Sequence, residues 1–182
     1  FHSRQCFLEI LKKWIKWQKK KRELHIAIAP TKNIKRFEFF LEKSVEIGVS
    51  TITPLFCDHS ERRKINQSRC EKIIISAMKQ SQQSQLPILK NHTVFREFIK
   101  TSSPLNCNNF IAKYNPENTQ LSKAIRNYFS DLILIGPEGD FSEDESQLAI
   151  RQGFIPVNLG NTRLRTETAG ITACITLSLD LS

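Results

Sequence analysis

Two stretches of the chain carry residue types at spacings that suit ligand chemistry. The first is LILIGPEGDFSEDE, residues 132–145. Four apolar residues run into Gly136-Pro137-Glu138-Gly139, and acids follow at Asp140, Glu143, Asp144 and Glu145. The chain holds only 6 glycines, and two of them flank this Pro-Glu pair. Glycine tolerates positive φ and lets backbone approach a ligand closely. The amides of such a loop, with a helix opening just beyond it, can donate hydrogen bonds to a bound molecule. The carboxylates disfavour a phosphate, and the chain has neither G-x-G-x-x-G nor G-x-x-x-x-G-K-[ST]. The loop suits a cationic or neutral ligand, although taken alone it reads first as a tight turn with ordinary helix capping. The second stretch is LGNTRLRTETAG, residues 159–170, with Arg163, Arg165 and Glu167. Its apolar flanks predict partial burial, and charges placed there need partners or a ligand. Asp58-His59-Ser60 is only a run of sequence neighbours, whereas a hydrolytic triad draws its members from different elements.

Both stretches need elements to position them. LHIAIA (24–29) reads as a strand of the fully buried kind. Asn33 is placed to cap a helix carrying Phe37, Phe40, Leu41 and Val45 at helical spacing, with Gly48 as its stop. STITPLF (50–56) is the next strand, and QSRCEKIIISAMKQSQQSQ (67–85) a helix with Ile74, Ala77 and Met78 on one side. VFREFI is ambiguous, NNFIAKY a strand, and TQLSKAIRNYF (119–129) a helix. Leu132–Ile135 form a strand. Ser142 with Glu145 three residues on is a capping box for a helix holding Leu148 and Ala149 and stopping at Gly153. FIPVNLG is a strand, NTRLRTE a loop, and TAGITACITLSL a final apolar helix. Alternation of strand and helix predicts an α/β fold with a mostly parallel sheet. Ligands of such sheets bind at the carboxyl ends of the strands, where both stretches fall.

Length gives a prior of one domain, or one plus a fragment. The sequence begins at Phe1 without an initiator Met, so a missing N-terminal piece is expected. The net charge of +9 points to a polyanionic partner, either nucleic acid or an anionic membrane. No apolar run approaches the roughly 18 residues of a membrane span. The 5 cysteines and 4 histidines are scattered without ligand spacing, which disfavours a zinc site or a disulfide framework and fits a reducing cytoplasm. Residues 6–22, CFLEILKKWIKWQKKKR, interleave Trp14 and Trp17 with 7 Lys or Arg between Lys12 and Arg22. The pattern fits two short strands with a basic hairpin, which we favour, or one amphipathic helix. Its surface reads either as an RNA-binding face, with cations on phosphates and indoles on bases, or as a solvated hairpin with the tryptophans in a core.

Together, IGPEGDFSEDE and LGNTRLRTETAG resemble the ribosomal small-subunit RNA methyltransferases that methylate N3 of one uridine in 16S rRNA. These belong to the SPOUT superfamily of trefoil-knotted methyltransferases. EKSVEIGVSTITPLFCDHSERR resembles that family's run from an amphipathic helix through a strand into a polar Ser-Glu-Arg loop. AMKQSQQSQLPIL resembles its Gln-containing helix before a proline. The resemblance covers about residues 24–180. Departures are Asp140, where the family often has Gly, and Lys79 and Gln83, where it usually has an acidic residue and an Arg.

The resemblance implies a SPOUT methyltransferase domain over 23–182 with a deep C-terminal knot, and a PUA-like RNA-binding remnant over 1–22. It implies a cytoplasmic homodimer acting on 16S rRNA or the small subunit with S-adenosylmethionine, without metal or membrane. Cofactor residues would be Ile135, Gly136, Pro137, Glu138, Gly139, Leu159, Gly160, Leu164, Arg165, Thr166, Thr168 and Ala169. Glu138 would either favour the sulfonium cation or fasten the loop by accepting backbone N–H bonds. Arg165 first, and Arg163 second, would stabilise charge on the uracil. Glu167 would accept the proton or orient Arg165 through a salt bridge. RNA would meet Lys12, Lys13, Lys19, Lys20, Lys21, Arg22, Lys43, Arg62, Arg63 and Lys64. The final helix, with Ile171, Ile175 and Leu179, would join a dimer interface, pack on the sheet, or both. A related enzyme acting on another base or a ribose 2′-hydroxyl, or a non-catalytic RNA-binding assembly factor of the same fold, are the alternatives.

Overall fold

The computed structural model describes residues 9, 22–102 and 106–179. The basic Trp-containing segment, with Lys12, Lys13, Lys19, Lys20 and Lys21, therefore lies outside the described residues. Among the described residues eight strands and six helices follow in chain order: β1 Glu23–Ile28, α1 Ile34–Ile47, β2 Thr51–Phe56, α2 Gln67–Gln80, β3 Ile88–Leu89, β4 Thr93–Val94, α3 Phe95–Thr101, β5 Cys107–Ala112, β6 Thr119–Gln120, α4 Leu121–Ala124, β7 Ser130–Ile135, α5 Glu143–Arg151, β8 Ile155–Asn158 and α6 Thr166–Leu179. The sheet order is β3-β2-β1-β7-β5-β8-β6, with β4 also on β2. Every pairing among these strands is parallel. The expected α/β class with a mostly parallel sheet is what the chain forms.

Side-chain alternation explains why both faces are covered. Leu24, Ile26 and Ile28 of β1, with Ile133 and Ile135 of β7, point into one core beneath α1, α2 and α6. Ala27 and Ala29, with Leu132 and Leu134, point into a second core beneath α3 and α5. A central strand must then be apolar at nearly every position, as LHIAIA and LILI are.

Local signals set most boundaries. Asn33 caps α1 by accepting from Lys35 N, and Gly48 ends it at φ 105°. Ser142 and Glu145 form the capping box of α5. Two helices differ from expectation. α2 stops at Gln80, because Gln82 turns to φ 54° and Gln83 donates to the carbonyls of Val45 and Glu46 at 2.6 and 3.1 Å. Residues 119–129 are not one helix. Thr119–Gln120 pair with β8, α4 lasts a single turn, and Ile125 leaves it at ψ 133°. Asn108 draws the chain away from helix: its amide Oδ1 accepts from Arg126 N and its Nδ2 donates to Arg126 O. VFREFI resolves as helix, because Phe95, Phe98 and Ile99 all bury into the second core.

Arg22 needs a correction. It was assigned to an exposed RNA-binding face, yet it is only 6% exposed. Its guanidinium grips Asp131 with Nε and Nη2 at 2.6 and 2.7 Å, and Nη2 also donates to Arg126 O. A charge placed beside the buried start of β7 is held by a carboxylate rather than offered to a phosphate.

Two stability predictions arise here. Gly170 lies where α6 crosses α1 and β1, and a Cβ there would sit 2.7 Å from the Phe40 ring and 2.9 Å from Ile28 Cδ1. Gly170→Ala should cost about 1–3 kcal/mol in a denaturant titration, despite alanine's better helix propensity. A neutral or stabilised variant would show that the Phe40 ring yields freely. His25 hydrogen-bonds Thr53 Oγ1 at 2.8 Å and meets Phe98 edge-on. Burial, and then the charge of Lys90, lower its pKa from 6.5 to about 4. The unfolded chain therefore binds the proton first, so stability falls as pH drops from about 6.5 through 4. His25→Gln should flatten stability over that window; an unchanged slope would assign it to other groups.

Candidate active-site cleft

The two loops singled out in the sequence meet at one end of the sheet. β7, β5 and β8 are neighbours, and their carboxyl ends open into a cleft of about 670 Å³ counted out to its solvent-open mouth. One wall is Ile135, Gly136, Pro137, Glu138 and Asp140 after β7. The opposite wall is Leu159, Thr162, Arg163 and Leu164 after β8, followed by Thr166 and Ala169 of α6. Ala112, Lys113 and Tyr114 after β5, with Val157, complete it. Thr166 Oγ1 ties the walls together by donating to Gly136 O at 3.1 Å.

The loop after β7 is shaped by local chemistry. A Cβ on Gly136 would lie 3.1–3.2 Å from the Phe141 ring and backbone N, so glycine lets the loop fold over that ring. Asp140 N donates to Pro137 O, closing a turn, and Asp140 takes φ 63°. Asp tolerates that conformation because its side chain bonds locally, here as Oδ1 accepts from Phe141 N at 2.8 Å. Buried Glu145 then accepts from Ser142 N and Asp58 N, at 2.9 Å each. Glu138 accepts from Lys32 N at 2.9 Å, so its carboxylate does fasten backbone, and it also lines the cleft.

Not every expected residue reaches the cleft. Gly139, Gly160 and Arg165 belong to its loops, and Thr168 to α6, without lining it. Gly139 instead abuts His59, whose Nδ1 lies 3.1 Å from the carbonyls of Gly139 and Asp140. Gly160 takes φ 151°, which suits glycine. Arg163 does line the cleft, with its guanidinium 6.0 Å from the Tyr114 ring centre. Arg165 is exposed at the start of α6.

Glu167 departs from the expected pairing with Arg165. It is buried, and its ion pair at 3.8 Å is with Arg36 of α1. The first turn of α6 points Glu167 back toward the helix it packs on, and Arg165 precedes that turn. Its Oε2 has no hydrogen-bond partner among the described residues. Lys113 and Tyr114 escaped sequence reading because nothing in NNFIAKYNPEN separates a strand end from its loop. Adjacency of β5 to both β7 and β8 brings them in. Lys113 is held by Glu143 and Ser146, and Tyr114 by Asn161 O.

The expected cations divide in a similar way. Arg62 donates to the carbonyls of Thr31 and Lys32, and Arg63 to those of Cys57 and Asp58. Lys64 is exposed. Lys43 bridges Glu42 and Glu46, and those partners raise its pKa. Lys79 is exposed on α2. Among the described residues no group of three His, Cys, Asp or Glu is arranged to hold a metal, and no helix is long and apolar enough to cross a membrane.

Comparison with known proteins gives a consistent answer. A family model described as RNA methyltransferase domain matches residues 18–178. Ribosomal RNA small subunit methyltransferase E of Buchnera aphidicola (Acyrthosiphon pisum) is 36% identical over 93% of this chain and 68% of its own length. The crystal structure of a probable rRNA-methyltransferase from Porphyromonas gingivalis is 43% identical with a TM-score of 0.84, covering 91% of this chain and 71% of that one. Ribosomal RNA small subunit methyltransferase E from Neisseria gonorrhoeae, solved bound to S-adenosyl methionine, is 30% identical with a TM-score of 0.76, covering 87% and 66%.

Proposed function

Because the chain belongs to the RNA methyltransferase domain family, alongside proteins named ribosomal RNA small subunit methyltransferase E, we propose that it is an S-adenosylmethionine-dependent methyltransferase acting on uridine N3 of 16S rRNA. The observation that carries this reading is the cleft itself: two glycine-containing loops at the carboxyl ends of β7 and β8, parallel strands that flank β5, joined by Thr166 to Gly136. The cleft suits the cofactor. Val157, Leu159, Leu164 and Ala169 offer an apolar bed for a planar ring, and Glu138 and Asp140 place carboxylates where a cation rather than a phosphate is favoured. Bound there, S-adenosylmethionine supplies an electrophilic methyl group.

The chain's own residues then have defined tasks. Backbone groups near Leu159, Gly160 and Leu164 hold the adenine edge. Uracil N3 must give its proton to solvent base to become a nucleophile, and the resulting charge spreads onto two carbonyl oxygens. Arg165 donates fixed hydrogen bonds to those oxygens, with Arg163 the second candidate for that role. Lys64, with the basic run of residues 12–21, binds RNA phosphates. We assign residues 23–182 to the methyltransferase domain, with a C-terminal knot around the cleft, and 1–22 to the end of a PUA-like domain. The enzyme works in the cytoplasm.

Calorimetric titration with S-adenosylmethionine, followed by mass spectrometry of methylated small-subunit RNA, tests the reading. About one site per chain and N3-methyluridine are expected. Methyl on a ribose or another base would redirect the assignment, and no binding would leave an RNA-binding assembly factor. We also place a homodimer contact on packed α1 and α6, which expose Phe39, Ile175 and Leu179. Ile175→Asp should convert the dimer to monomer in light scattering; a monomer before substitution would sink this contact.

A further inference from the structure

The loop between β2 and α2 does more than join them. Cys57 N donates to Ser60 Oγ at 2.9 Å and Ser60 N to Cys57 O at 3.1 Å, which rolls Cys57–Ser60 into a closed turn. One side of that turn is bonded to the loop after β7. Asp58 N donates to Glu145 Oε1, Ser142 Oγ donates to Asp58 Oδ2 at 2.8 Å, and His59 sits against the carbonyls of Gly139 and Asp140. The other side is bonded to the turn between β1 and α1. Arg62 Nε donates to Thr31 O at 3.0 Å, and its Nη2 donates to Lys32 O at 2.6 Å. Glu61 Oε2 pairs with Lys32 Nζ at 2.7 Å.

Lys32 closes the circuit. Its carbonyl is held by Arg62 and its side chain by Glu61, and its amide donates to Glu138 Oε1 in the cleft wall. Thr31, fully buried, fixes the same turn by donating to Asn33 O, and Asn33 caps α1. The Lys32 amide can orient Glu138 only while the Thr31–Lys32 peptide plane stays fixed, and the Arg62 Nε bond to Thr31 O constrains that plane.

We propose that Arg62 is a positioning residue for the cofactor wall rather than an RNA contact: through the 31–33 turn it sets the Lys32 amide that orients Glu138. A guanidinium bonding two successive carbonyls is committed to them, because its fork geometry is satisfied in place. Lys64, two residues on, is exposed with its ammonium uncommitted among the described residues, so charge for phosphate is available on the same loop without Arg62. The consequence for affinity rests on the cofactor reading given above; the brace itself does not.

Arg62→Ala, Arg62→Lys and Lys64→Ala separate the two roles. In ligand-free protein, Arg62→Ala should speed amide hydrogen exchange at Lys32 and over 138–140 about tenfold, with exchange across β5 and β7 unchanged. Arg62→Lys, which can still donate to Lys32 O, should restore part of that protection. The affinity for S-adenosylmethionine should fall about tenfold in the alanine variant and recover partly in the lysine one. Binding of a small-subunit RNA fragment should change less than twofold, whereas Lys64→Ala should weaken it and lower its salt dependence. Unchanged exchange at Lys32, or lost RNA affinity and a shallower salt slope in Arg62→Ala with cofactor affinity intact, would overturn the proposal. Silence of the unaltered protein toward the cofactor would count against the methyltransferase reading, and the exchange measurement would still decide the brace.

Discussion

Asp131→Ala is expected to destabilise the protein by about 3 kcal/mol or more, more than any surface substitution. Asp131 is 1% exposed and faces Arg22, itself 6% exposed, at 2.6 and 2.7 Å. Asn108 Nδ2 donates to the same carboxylate at 2.8 Å. Removing the carboxylate takes a close counter-charge from a buried guanidinium, and its desolvation then weighs more heavily against folding. The same network fixes Arg126, so the loop before β7 loses its anchor too. Thermal unfolding should fall by roughly 6–12 °C for a chain of this size. Replacing both partners, as Arg22→Met with Asp131→Leu, should cost less than Asp131→Ala alone, because no charge is then stranded. If the single variant loses less than about 1 kcal/mol, water or relaxation of Arg22 has replaced the carboxylate.

Arg165→Ala is expected to lower the methyl-transfer rate about 100- to 1000-fold while S-adenosylmethionine affinity changes less than twofold. Arg165 is exposed on the loop that ends in the cleft wall and does not line the wall itself, so substrate is its natural partner. Its donors would stabilise charge that develops only as N3 loses its proton, which places the loss in kcat. Raising pH should recover part of the rate, since solvent base then supplies the uracil anion. Arg165→Lys should recover little, because an ammonium cannot reproduce the two-pronged donor. Arg163→Ala provides the contrast. Arg163 lies in the cleft over Tyr114, so its loss should raise KM more than it lowers kcat. The opposite pattern, with Arg163 controlling kcat and Arg165 silent, would exchange the two roles.

These roles show where sequence reading reached its limit. The α/β class, the parallel sheet, the caps at Asn33 and Ser142 and the stop at Gly48 all follow from periodicity and capping chemistry, which act within a few residues of each other. The two loops of the cleft were legible for the same reason: glycines, a capping box and an Arg-Thr-Glu run leave local signatures. The resemblance also marked Asp140 as a site where glycine is usual, and its φ of 63° is the physical reason.

Tertiary structure decided what spacing cannot encode. Strand order placed β5 between β7 and β8, which carried Lys113 and Tyr114 into the cleft from a segment with no motif. Packing of α6 on α1 turned Glu167 toward Arg36. Asn108, 18 residues away in sequence, ended a helix that propensity favoured through residue 129. Net charge and the resemblance made Arg22 and Arg62 look like RNA contacts, yet one is buried against Asp131 and the other bonds two carbonyls. A cation's sequence neighbours say that it is charged; only the fold says whether its hydrogen bonds are already taken. Thus the sequence by itself determined most of the longer elements and the two loops, because those rest on local backbone energetics. The fold decided which side chains face the cleft, because that depends on which distant strands become neighbours.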